Sequence, residues 1–380
     1  MEKQIKNGAP ELFFNRTDSG EVVIAGFATK CVSSNVRCAN IVWESTELGY
    51  GVGKEGDVVL VEVVSDIGSR QYLENQLGVN RRLYKGDRFV GVLANRHSGT
   101  EESGDVPPEG INIQVGTELH LLSTSGLVGI STNIPATMGQ KPLQLKVLGI
   151  VAQDGLPLDL LDLCGPQDDV VNPSAPIIVV GGTSSDVGKT TTSAGLIRVL
   201  SQKGLRVAAT KISGTGNLQD VFLLHDAGAK IWFEFPDVGL PSTYTSPARF
   251  RKGIYTLLNR INAQKPDVII AEAGGDIIEA NIPTFLSDPA IAKYIKAIMM
   301  VPGDVLGMIG SINYAQKLIP DVPIFFTDPK EKNAFTTRIR VGQVLPGFDL
   351  FNSLDLEEVE QVLRKILPDL AYGQKDSEKK

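Results

Sequence analysis

A chain of 380 residues and 40.9 kDa is too long for one small core and has room for two units. Hydrophobic residues at 42% with 21% charged residues describe a globular chain, not a disordered one. A formal net charge of -7 and a pI near 5.2 speak against a nucleic-acid scaffold, whose footprint would be basic.

Three cysteines, Cys31, Cys38 and Cys164, show no C-x-x-C spacing, and an odd count does not describe a disulfide framework. A reducing cytoplasm is the expected setting. The opening MEKQIKNGAPELFF lacks the long apolar core of a secretion signal. No window reaches the length needed to span a bilayer, so no membrane partner is expected.

From Glu21 to Ala152 the chain alternates short β-rich runs with turn clusters. Strands are expected at Val22–Ala28, Ile41–Glu44, Val58–Val64, Phe89–Ala94, Glu118–Leu122 and Leu143–Val151, with one helix near Arg70–Leu77. Two Gly-Asp turns, at Gly56-Asp57 and Gly86-Asp87, feed apolar strands, which suggests a small antiparallel barrel or sandwich. Thr100–Gly110 reads as an exposed polar connection, with a lid as the alternative. Residues 1–165 thus form a β-rich unit, 166–175 a linker rich in proline and acid, 176–372 a second unit, and 373–380 a disordered tail.

After Pro176 strands alternate with helices. Strands are expected at Ile177–Val180, Val207–Lys211, Val268–Glu272, Ala297–Val301 and Ile324–Phe326. Near-continuous apolar runs of this kind belong to a parallel, doubly wound α/β sheet covered on both faces. Ligands of such sheets bind at the carboxyl ends of the strands.

The segment PIIVVGGTSSDVGKTTTSAGLIRVL joins the first of these strands to a helix through a glycine-rich turn. Such a turn presents successive main-chain amides to a polyphosphate, and the following helix adds positive potential. Lys189 would face the terminal phosphates, and the Thr190 hydroxyl would face magnesium. Gly182, Thr183, Ser184, Ser185, Val187, Gly188, Lys189, Thr190 and Thr191 are the candidate nucleotide-binding residues. Five residues separate Gly182 from Gly188, one more than the standard phosphate loop allows.

That longer loop resembles the loop of dethiobiotin synthetase and its relatives, among them the cobyrinic acid amidating synthetases. The resemblance covers the first three strands and implies ATP and Mg2+ as cofactors. In those enzymes the second strand ends in a lysine before a small-residue turn, and an aspartate follows that helps hold magnesium. Lys211 and Asp220 match by order and type. The third strand's Ala-Glu-Ala-Gly-Gly-Asp resembles the relatives' segment at that point, which makes Glu272 a second magnesium candidate.

Gly274 and Gly275 would let the backbone approach a bound substrate, with Ser213 beside them. Asp186 lies inside the loop, where related synthetases often carry an acid facing the substrate amine or a backbone amide; a cap at the start of the helix is the alternative. The catalytic candidates are Lys189, Lys211 and Asp186. Asp226–Tyr244, with Trp232, Phe233, Phe235, Glu234 and Asp237, is expected either to overhang the site or to plug the core.

The resemblance implies a Mg-ATP-dependent synthetase or kinase acting on a small carboxylate, carbamate or amine, and a homodimer. The alternative is a nucleotide switch acting on a protein partner or in cofactor insertion. The three histidines give no metal-ligand spacing, and no cysteine nucleophile pairs with a histidine, so no glutamine-splitting domain is expected.

Overall fold

The computed structural model describes residues 20–368, apart from 38–40, 139–140, 329–333 and 349. The expected tail at 373–380 and the opening MEKQIKNGAPELFF lie outside the described residues.

In the first unit, Leu127–Asn133 pairs with Glu118–Leu121, which pairs with Gln144–Gln153, then Val58–Val63, then Arg88–Leu93, all antiparallel. Arg88–Leu93 then pairs in parallel with Leu127–Asn133 and closes a five-stranded barrel. The barrel expected from the turn pattern is therefore present, with one parallel seam. Strand alternation divides its apolar residues between two cores. Val59 and Val61 join Phe89, Leu121 and Val147 in one; Val58 and Leu60 join Val90, Trp43 and Leu160 in the other.

Four local expectations are corrected. Val22–Ala28 is a hairpin, not one strand, because Ala25 and Gly26 turn with positive φ between Val23–Ile24 and Phe27–Ala28. Ile41–Glu44 is no strand: Trp43–Ser45 forms a 3-10 turn that seats Trp43 in the core. The helix expected near Arg70–Leu77 is instead a strand, Tyr72–Glu74, paired with Asn80–Arg82. Within Thr100–Gly110, Ser103–Asp105 pairs with the barrel. There Glu102 is buried and bonded to Arg70 and Ser69, so the segment is fastened rather than a free connection.

Cys31 is free and buried, but Cys164 is disulfide-bonded, against the expectation of unpaired thiols. An odd count leaves room for one bridge.

The second unit is built on seven parallel strands: β1 (Ile177–Gly182), β2 (Val207–Lys211), β3 (Ile231–Glu234), β4 (Val268–Glu272), β5 (Ile295–Val301), β6 (Ile324–Thr327) and β7 (Leu350–Phe351). Their order in space is β3-β2-β4-β1-β5-β6-β7. The helices are α1 (Lys189–Gln202), α2 (Leu218–Asp226), α3 (Pro247–Ala263), α4 (Val305–Leu318), α5 (Ala334–Val344) and α6 (Leu356–Ile366), with shorter ones between α3 and β5.

Alternate residues of each strand serve opposite faces. Ile177 and Val179 of β1 pack with α3 and α4 through Phe250, Leu257 and Met308, while Ile178 and Val180 pack with α1 and α6 through Leu196, Leu200 and Leu363. Both faces being covered, the strands read as unbroken apolar runs. The edge strands β3 and β7 escaped the sequence pattern. β3 is four residues long and carries Trp and Glu, and β7 has two residues. No described helix is long and apolar enough to cross a membrane.

Candidate nucleotide site

The carboxyl ends of β1, β2 and β4 meet at the start of α1. Pairing sets Val180 beside Glu272 and Lys211 beside Glu272, so a phosphate loop, a lysine and a buried acid share one edge. The loop turns because Gly188, at φ +107, enters the left-handed region as the N-cap of α1 and contributes no side chain there. The cap is thus a glycine and not Asp186. Asp186 itself has φ +61 and is exposed, and its charge acts on Lys189.

Gly182 is where the chain passes closest to its own loop. A Cβ there would stand 2.9 Å from Val187 Cγ2 and 3.0 Å from Lys189 Cδ. The Val187 side chain packs beside Gly182 and against the apolar core under α1. Thr183 is tied to the end of β5, since its hydroxyl accepts from the Gly303 amide at 2.8 Å. The Ser184 hydroxyl donates to the Ser185 carbonyl at 3.1 Å, and Thr191 is exposed.

Lys189 is 7% exposed, and its ammonium donates to the Ser184 carbonyl at 2.6 Å. Burial lowers the pKa of that amine, and Glu272 pulls in the opposite direction.

Glu272 takes two hydroxyls, Thr190 Oγ1 at 2.9 Å on one oxygen and Ser193 Oγ at 2.9 Å on the other. Burial pushes its carboxyl upward, Lys211 pulls it down, and the result stays raised. Lys211 is ion-paired with Asp220. Burial alone would lower the Lys211 ammonium, but Asp220, Glu272 and Glu234 together raise it well above the usual lysine range. It is charged at any physiological pH.

The described side chains Thr190, Glu272 and Asp220 are hard oxygen donors, as magnesium prefers, and the loop before them offers main-chain amides to phosphate. These residues fit a magnesium-bound nucleoside polyphosphate. The buried Ser213 hydroxyl accepts from the Gly274 amide at 2.7 Å and donates to the Gly274 carbonyl at 3.1 Å. It staples the end of β2 to the end of β4. Gly274 is required there, since a Cβ would sit 2.5 Å from the Ser213 carbonyl and 3.2 Å from Lys211 Cε. Gly275 follows at φ +72 and faces Glu279.

The aromatic segment divides its labour. Phe235 and Trp232 are buried, with Trp232 edge-on to Phe222 at 5.7 Å, so this part is core. Tyr244 is half-buried, its hydroxyl bonds to Glu279, and its ring lies 5.3 Å from that of His97 of the barrel unit. Glu234 and Asp237 turn toward the barrel and hold Arg37, at 2.8 and 2.7 Å.

Ser193 escaped sequence reasoning, although its spacing from Thr190 places both on one helical face and was a usable signal. Glu74, Asn35 and Arg37 of the barrel, which contact the turn after β2, had no local signal. The contacts of Glu74 span 144 and 145 residues of sequence.

A cavity of about 710 Å³ lies elsewhere, between β6, β7, α5 and α6. Its Arg338 is already held by Asp328 and Glu358, and it shares no residue with the phosphate loop. The site is assigned to the loop because the amides, ammonium groups and acids converge there.

Comparison with known proteins bears on the family of this half of the chain. Over 197 residues the chain is 25% identical to the ATP-dependent dethiobiotin synthetase of Corynebacterium diphtheriae, covering 49% of this chain and 83% of that protein. It is 27% identical over 219 residues to the cobyrinate a,c-diamide synthase of Herminiimonas arsenicoxydans, covering 51% of this chain but only 45% of that one. Among solved structures, a plasmid partition protein from Borrelia burgdorferi matches 51% of this chain and 99% of its own, with 14% identity and a TM-score of 0.37. The model of the CobQ/CobB/MinD/ParA nucleotide-binding domain matches residues 178–368, half of the chain, and through that half this protein belongs to the CobQ/CobB/MinD/ParA family of phosphate-loop proteins.

Proposed function

We propose that the chain is a Mg-ATP-dependent synthetase or kinase that phosphorylates a small carboxylate or carbamate, with capture of the acyl phosphate by an amine as a following step. The observation that carries this is Lys211. Its buried ammonium stands at the end of β2 beside Glu272 and has an acid, Asp220, to itself.

Two fixed ammonium groups, Lys189 and Lys211, flank the carboxyl edge of the sheet. Charge that builds on a phosphoryl group in transfer is stabilised by preorganised cations of this kind. Thr190, Glu272 and Asp220 would hold magnesium, which neutralises phosphate charge when bound. The γ-phosphoryl bond to ADP breaks as a substrate carboxylate oxygen bonds to phosphorus; the amine nitrogen then bonds to the acyl carbon as the carbon–oxygen bond to phosphate breaks, releasing inorganic phosphate and the amine proton. Domain boundaries at 165 and 176, a homodimer and a cytoplasmic setting belong to the same proposal.

The test is acid-dependent turnover. Incubation with Mg-ATP, a panel of small mono- and dicarboxylates and hydroxylamine should give ADP release that rises with one class of acid, together with its hydroxamate. ADP release indifferent to every acid and amine, but accelerated by a protein partner, would favour the nucleotide-switch alternative. The grip of the barrel on the turn after β2 is the observation that keeps that second reading in play.

A further inference from the structure

Helix α2 begins directly after the turn that follows β2, yet its N-cap residue, Asn217, makes no side-chain cap bond. The free amides of the helix are taken by Glu74 from the barrel unit. Glu74 Oε1 accepts from the Leu218 amide at 2.8 Å and Oε2 from the Gln219 amide at 3.3 Å. Glu74 is 1% exposed and sits at the end of strand Tyr72–Glu74. A carboxylate at this position satisfies helix amides and complements the helix dipole.

Asp220 lies in the same first turn of α2, and its carboxylate is the partner of Lys211. The stretch between them is fastened by the same unit. The Thr215 carbonyl accepts from Ser125 Oγ at 2.6 Å and from Asn35 Nδ2 at 3.1 Å. Gly216 has φ +71, and a Cβ there would press on Pro236 and on Asn35 Oδ1 at 2.8 Å. Arg37 engages Glu234, which stands opposite Lys211 in the sheet. With Glu234 so occupied, Asp220 is left as the salt-bridge partner of Lys211.

We infer that Glu74 is a positioning residue for the nucleotide site: by capping α2 it fixes Asp220, and through Asp220 the Lys211 ammonium, so that the barrel sets the magnesium response of the phosphate loop. The inference rests on the proposed assignment of Lys211 and Asp220 to that site. Coupling of this kind is reciprocal. A nucleotide that draws Lys211 from Asp220 therefore also loads the contact between α2 and the barrel.

The experiment is a magnesium titration of ATP turnover by the full chain and its Glu74→Gln variant, with binding of a fluorescent ATP analogue measured in EDTA. Glu74→Gln should raise the half-activating magnesium concentration by about tenfold or more, the effect expected when a residue that orients a metal ligand is lost. Nucleotide affinity in EDTA should stay within about twofold, and Glu74→Asp should recover part of the response. Ser125→Ala loosens the same turn without touching the cap, and should shift the magnesium requirement in the same direction if Glu74→Gln does not fold. An unchanged magnesium requirement with only a lowered melting temperature overturns the inference. Lys189→Ala separates the two failures. If it leaves both nucleotide affinity and turnover intact, the proposed site is wrong; if it lowers either while Glu74→Gln leaves the magnesium requirement unmoved, only the positioning role falls.

Discussion

Replacing Lys189 by alanine is expected to cut Mg-ATP turnover by about 100- to 1,000-fold, the loss typical of removing one preorganised electrostatic contact to the charge that develops in the transition state. Loss of the Lys189–Ser184 bond leaves the loop held by its glycines and by the Thr183–Gly303 bond, so the fold should survive the change. Lys189→Arg should rescue poorly, because a planar guanidinium does not reproduce the compact point charge of an ammonium on phosphate. ADP release at saturating magnesium and nucleotide checks this. An alanine variant within about threefold of the parent would place the chemistry elsewhere.

The second large effect concerns stability. Arg37 is 2% exposed and donates to Glu234, which is wholly buried, and to Asp237, which is 10% exposed. Arg37→Ala would leave two carboxylates facing each other away from water, with Glu234 Oε1 already lacking a hydrogen-bond partner. Breaking a buried ion pair from one side costs about 3–5 kcal/mol. The expected result is a loss of that order in the urea unfolding free energy, partly restored when Glu234→Gln and Asp237→Asn are added. A loss below about 1 kcal/mol would mean that the acids find water or other donors, and that the clamp is a surface feature.

Much of the second unit is legible in its residues. Apolar runs buried on both faces announce β1, β2, β4, β5 and β6, and β2 and β4 begin and end where the pattern places them. Lys211 and Glu272 close those strands, which is why order along the chain could nominate them. The barrel was legible as a class but not strand by strand. Just before the strand Tyr72–Glu74, Arg70 pairs with Glu102, and Glu74 at its end caps a helix of the other unit. A helical pattern of residues is thus held as a strand by partners far away in sequence. The Thr183 and Ser213 hydroxyls each bond main chain, which residue type alone does not show. Residue type identified them as polar groups near the site, and only geometry shows whom they serve.

The central claim, that the turn from Gly182 to Thr191 holds a magnesium-bound nucleotide, is tested most directly by a crystal structure with a non-hydrolysable ATP analogue and magnesium. The account predicts phosphate density along the main-chain amides of the loop, Lys189 released from the Ser184 carbonyl onto the terminal phosphates, and magnesium beside Thr190. A nucleotide seated instead in the cavity between β6, β7, α5 and α6, with Lys189 still on Ser184, would contradict it.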